Sequence, residues 1–381
     1  MKIKISLIVI FALVGQLIFA QKDIPIIKAT SKKVDIRDGK FLKKQYWTLS
    51  PELNPDIYET NSLGQEVTFI TDKDSITVKI QKDTKFDFII LLNDSIKAKT
   101  QISYKYVPNY LERLKNAEKY NYSDNRFIPN FSYQSLDNPN LIKIRHDFKL
   151  DSIAGTGSET SKILNLLHWV HNIIRHDGMS DNPTLKNAID LIKICKKDNR
   201  GVNCRMMATI LNECYLSMGI KSRYIICMPK ETVFDDCHVI NMVYSNDFKK
   251  WIWIDPTFDA YVMNEKGELL GQGEVRERLI NGKTLILNPE ANWNRKNSQT
   301  KEEYLETYMA KNLYRLQTPL VSEYDSETWK SGKEITYVEL LPLDGIEQTP
   351  QKKEETRTKT GVKFINYKTN NPNIFWAEPT K

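Results

Sequence analysis

Asn203-Cys204-Arg205-Met206-Met207-Ala208-Thr209-Ile210-Leu211-Asn212-Glu213-Cys214-Tyr215-Leu216-Ser217-Met218-Gly219 reads as one helix with both ends marked. Asn203 is a natural N-cap, since its side chain can accept from a first-turn N–H, and Gly219 suits the left-handed residue that closes a helix. Met207, Ile210, Leu211, Cys214 and Met218 recur at helical spacing and predict the core face. Cys204 then falls in the first turn, where peptide N–H groups have no intrahelical acceptor and the helix dipole is positive. Both effects favour a thiolate over a thiol. The same N–H groups can receive an oxyanion.

Working outward, His238–Tyr244 and Trp251–Asp255 are rich in β-branched and aromatic residues and flank a polar turn, Ser245 to Lys250. A hairpin centred between Asn246 and Asp247 sets His238 directly opposite Asp255. Opposed residues share a face, with Cβ atoms ~4.5–5.5 Å apart, whereas a one-residue slip would part them. In that register Asp255 fixes the imidazole tautomer and leaves the other ring nitrogen for Cys204. Cys204, His238 and Asp255 are then the candidate nucleophile, base and orienter. Each has a plainer reading: a buried structural cysteine, a polar strand-edge residue and a turn-opening Asp before Pro256.

Gly201-Val202-Asn203-Cys204, Asp236-Cys237-His238-Val239 and Trp253-Ile254-Asp255-Pro256-Thr257, in that order, resemble the transglutaminase-like superfamily. The likeness runs from the helix around Trp169 to roughly Gly282. It implies an α+β fold with a papain-like core, in which the cysteine helix packs on an antiparallel sheet carrying the other two residues. It also implies catalytic roles for Cys204, His238 and Asp255; no cofactor and no metal are expected. The family holds cross-linking acyltransferases, peptidases, amidases and members that have lost activity. The expectation is an exported cysteine acyl-transfer enzyme that forms a thioester on Cys204 from a protein, peptide or cell-surface amide and hydrolyses it. A cross-linking transglutaminase and a non-catalytic binding or scaffold protein are the alternatives. A second oxyanion donor is expected ahead of Cys204, from His176-Asp177-Gly178 or Asn199-Arg200. Trp251, Trp253 and Tyr261 read either as a groove for the acyl donor or as core aromatics.

The rest of the 381 residues divides by composition. Met1–Ala20 has the basic start, apolar run and small-residue end of a secretory signal, which predicts a secreted or periplasmic chain without membrane insertion after cleavage. Residues 21–122 are expected to form a β-rich domain ending in a helix, although 22–60 carry no clear pattern. A linker is expected at 123–140, the transglutaminase-like domain at 141–300, and at 301–381 a helix, a mobile charged segment (Glu347–Lys359) and a tail, with an edge strand near Tyr337–Pro342. The net charge of +7 is interspersed with acidic residues and gives no nucleic-acid footprint. Five cysteines leave at least one thiol free unless chains pair, and fit either up to two disulfides or none. His168, His171 and His176 invite a metal reading against that of helix-surface or capping histidines. Ala154-Gly155-Thr156-Gly157 has the wrong spacing for a phosphate loop and reads as a helix entrance.

Overall fold

A computed structural model describes residues 24–117, 119–231, 233 and 236–379. The expected signal segment, Met1–Ala20, lies outside the described residues. The chain divides into two compact units between Val107 and Pro108.

The first unit is all β. One four-stranded sheet has the order Ile26–Ala29, Lys85–Leu92, Ile96–Tyr104, Asp56–Thr60, and the other the order Phe41–Thr48, Lys33–Asp38, Glu66–Ile70, Ser75–Lys79. Alternation drives the pairing. Ile27 and Ala29 of one sheet share a core with Val34, Ile36, Val67 and Phe69 of the other, while the intervening residues face outward.

The second unit carries the candidate site. Its seven-stranded sheet is built from β1 (Ser222–Met228), β2 (His238–Ser245), β3 (Lys250–Ile254), β4 (Arg315–Pro319), β5 (Glu334–Leu340), β6 (Lys352–Arg357) and β7 (Val362–Thr369), in the order β3-β2-β1-β4-β5-β7-β6. The cysteine helix, Cys204–Ser217, packs on β2 and β1 and against helices Pro139–Asp147, Glu159–Ile173 and Ala188–Lys197. Asn203 caps it by accepting from the Met206 N–H at 3.1 Å, and Gly219 follows at φ +76. Its apolar face was legible, but Met206–Ser217 is buried all round. Such a central helix must satisfy its polar side chains internally. Glu213 accepts the Ala188 and Asp325 N–H groups at 2.8 and 2.9 Å, Asn212 donates to Ser322, and Thr209 donates to the Arg205 carbonyl.

The C-terminal third differs most from expectation. The helix expected over 302–316 is a π-helix, Glu302–Met309, plus a turn, after which the chain becomes β4. The strand at 334–340 is not an edge, because β4 and β7 pair with it on either side. Within the charged stretch expected to be mobile, 352–357 forms β6, an edge strand on β7 with every residue exposed. The tail docks through Phe375, whose carbonyl accepts from the buried Arg223 guanidinium; that guanidinium also sits 4.0 Å from the Phe131 ring centre and 4.7 Å from the Trp251 ring centre.

Candidate active site

The Cys204 sulfur sits where the sequence puts it, in the first turn of a capped helix. The capping places the Met206 and Met207 N–H groups on Asn203, so the Cys204 N–H lies ahead of the helical ladder. Gly201 is required for the approach to this turn. A Cβ there would meet the Arg175 carbonyl oxygen at 2.6 Å and the Asp177 Cβ at 2.7 Å. With only a hydrogen at that point, Val202 and His176 join in a parallel bridge: the Asp177 N–H donates to Val202 at 2.8 Å and the Val202 N–H to Arg175 at 3.1 Å.

His238 and Asp255 meet, but by another register than the one expected. Asn241 faces Ile254 and Ser245 faces Lys250, so the hairpin centres between Asp247 and Phe248. The pair is therefore diagonal rather than opposed. The offset is two residues, which leaves both on the same face, and His238 Nε2 lies 2.6 Å from Asp255 Oδ2. Nδ1 is left for Cys204. Helix Glu159–Ile173 sets this turn: Glu159 accepts from Ser245 Oγ at 2.6 Å and from the Asn246 and Asp247 N–H groups at 3.1 Å.

The Asp-Pro-Thr sequence also has a structural reason. Pro256 has no N–H to donate, and the Thr257 N–H turns back onto Asp255 Oδ1 at 2.9 Å. Oδ2 remains for His238 and for Tyr304, whose hydroxyl donates to it at 2.6 Å and accepts from the Trp253 indole at 3.1 Å. The ring centres of Phe258 and Tyr308 lie 5.5 and 5.2 Å from that of the imidazole, edge to face. His238 and Asp255 are buried; Cys204 is partly exposed.

The electrostatics follow from these contacts. Burial pushes the Cys204 thiol up, but hydrogen bonds from His176 and His238 and the charge of His238 outweigh it and hold the pKa at about 6. Burial pushes the His238 imidazole down, and the Asp255 charge and hydrogen bond, helped by Cys204, raise it instead to about 10. Between those values sulfur and ring form a thiolate–imidazolium pair. All five cysteines are free thiols. Burial pushes Cys195, Cys214, Cys227 and Cys237 up, the last to about 11.

The remaining candidates fall elsewhere. Trp251 and Trp253 are core residues, and Tyr261 packs against the helical core rather than beside the sulfur. His168 binds Asp259 at 2.7 Å, and His171 lies between the Pro256 carbonyl and Asn292. Only the third of these histidines, His176, reaches Cys204. Among the described residues no cluster of His, Cys, Asp and Glu has the arrangement of a metal site, and no helix is long and apolar enough to cross a membrane. Tyr304, Tyr308, Phe258 and Trp293 were missed by the sequence reading; nothing in their local sequence marks them.

Residues 147–256 match the family model of the transglutaminase-like superfamily, so the segment holding all three candidate residues is a domain of that superfamily. It is the kind of domain typically found in cysteine enzymes. Among solved structures the chain is similar to a protein from Cytophaga hutchinsonii provisionally described as a cysteine protease, with 17% identity over 40% of this chain and 54% of that one and a TM-score of 0.25. It is also similar to red sea bream transglutaminase, with 11% identity over 66% of this chain and 52% of that one and a TM-score of 0.23. The chain thus spans about half the length of each. No curated protein matches it in sequence.

Proposed function

We propose that the chain is a cysteine acyl-transfer enzyme that hydrolyses amides of peptides or cell-surface polymers. The observation that carries this reading is the line from Cys204 through His238 to Asp255, supplied by a helix, a strand and the end of the next strand, with only the sulfur partly exposed.

The Cys204 thiolate attacks the amide carbonyl, and the C–S bond forms as the carbonyl oxygen takes the negative charge. The Cys204 N–H donates to that oxygen. Collapse breaks the C–N bond, and the proton on His238 Nδ1 passes to the leaving amine. A thioester remains. Water then attacks the thioester, His238 takes its proton, and the C–S bond breaks to return the thiolate–imidazolium pair. Asp255 stays ionised and holds the ring in position. An amine in place of water would give a cross-link. Hydrolysis is preferred because an exported chain, as the sequence leads us to expect, meets water as its most abundant acceptor.

Profiling a peptide library by mass spectrometry, wild type against Cys204→Ala, tests the reading. Cleaved products that gain one water and vanish in the variant support it. Products joined through an amine would replace hydrolysis by cross-linking, and equal processing by both proteins would remove Cys204 from the mechanism.

A further inference from the structure

Two histidines reach one sulfur, and they are backed by opposite partners. Behind His238 stands a carboxylate, an acceptor, which makes that ring a cation able to give up a proton. Behind His176 stands an indole: Trp293 Nε1 donates to His176 Nδ1 at 3.1 Å. An indole nitrogen can only donate, so Nδ1 must keep its lone pair, and the proton of the neutral ring sits on Nε2. A second proton on Nδ1 would set N–H against N–H.

The ring has little freedom to leave this arrangement. Asn294 clamps the His176 backbone from both sides, accepting from its N–H at 2.7 Å and donating to its carbonyl at 3.0 Å. The bridge to Val202 fixes the same residue two positions ahead of Cys204. With Nδ1 occupied, the hydrogen bond His176 makes with the Cys204 sulfur runs through Nε2–H.

We propose that His176 is the second oxyanion donor: its Nε2–H, locked in place by Trp293, joins the Cys204 N–H on the carbonyl oxygen of the substrate. This rests on the acyl-transfer reading above. In the resting enzyme the Nε2–H points to the thiolate; as the C–S bond forms, charge moves from sulfur to the adjacent oxygen, and the donor moves with it. A neutral imidazole suits this task, since it polarises a carbonyl without surrendering its proton. Trp293 and Asn294 are positioning residues.

Two reactions of Cys204 separate the outcomes. Acylation by p-nitrophenyl acetate passes through an oxyanion; alkylation by iodoacetamide does not. His176→Ala should slow acylation about 100-fold or more, and His176→Gln, which restores an N–H donor, should recover much of it. The limiting alkylation rate at high pH should stay near wild type in both, with its midpoint shifted upward in His176→Ala, where a hydrogen bond to the thiolate is lost. Trp293→Phe should give intermediate acylation, because the donor that holds the ring with Nε2–H toward the sulfur is removed. Unchanged acylation in His176→Ala would overturn the proposal, as would equal loss of acylation and limiting alkylation, or failure of His176→Gln to rescue when its thermal melting matches wild type. Wild-type protein that forms no acyl-enzyme on Cys204 would instead sink the acyl-transfer reading itself.

Discussion

Cys204 is ionised at neutral pH because hydrogen bonds from two imidazoles and the charge of His238 outweigh the burial that opposes it. Its reaction with iodoacetamide should therefore rise through about pH 6, well below an ordinary thiol, while the four other cysteines stay slow. Peptide mapping of the labelled protein at pH 7 reads this directly, and even labelling of all five would contradict it. Turnover should likewise appear as pH rises through about 6 and fade through about 10, where His238 loses the proton owed to the leaving group. Asp255→Asn removes the charge that raises His238, so the upper limb should move down and turnover should fall roughly 100- to 10,000-fold. The fold should survive, because an Asn at that position can still accept the Thr257 N–H. A pH–rate profile beside a melting curve checks both halves of that expectation.

Individual elements carry their own consequences. Gly201→Ala would drive a Cβ into the Arg175 carbonyl at the bridge that presents His176. Overpacking of this kind costs about 1–3 kcal/mol, and fast Cys204 alkylation should be lost with it; urea unfolding and labelling kinetics measure the two. Glu159→Ala deletes the carboxylate that gathers the hairpin turn, so the Ser245 hydroxyl and the Asn246 and Asp247 N–H groups lose a charged acceptor. The expected loss is about 1–3 kcal/mol, seen as a lower urea midpoint at unchanged slope. These elements also show what a sequence makes legible. The cysteine helix could be read because its cap, its period and its closing glycine are local. The shared face of His238 and Asp255 could be read because alternation survives a shift of two. Their register could not, because the carboxylate that sets the turn belongs to a helix 86 residues upstream of Ser245. Trp293 sits in a polar stretch where an aromatic carries no periodic signal, and Tyr304 lies in the expected helix, whose period marks a core face but not a hydroxyl that reaches Asp255.

At the scale of the second unit, residues beyond 300 are structural to the sheet rather than an appendage. Removing everything after Thr300 would strip β4 to β7, uncover the β4 edge of β1, and take Tyr304 from Asp255. Protein ending there should lose the second unit's share of the near-UV circular dichroism and the fast-reacting thiol; a product that keeps rapid Cys204 labelling would refute this. The segment that matches the superfamily ends at residue 256, whereas Trp293, which donates to His176, and Tyr304, which donates to Asp255, lie outside it. The candidate reacting groups thus lie in one block and the side chains that hold two of them in another. Two proteins alike throughout the shared block need not work at the same acidity or the same speed, and drift in the flanking block can retune the chemistry while every reacting group stays as it was.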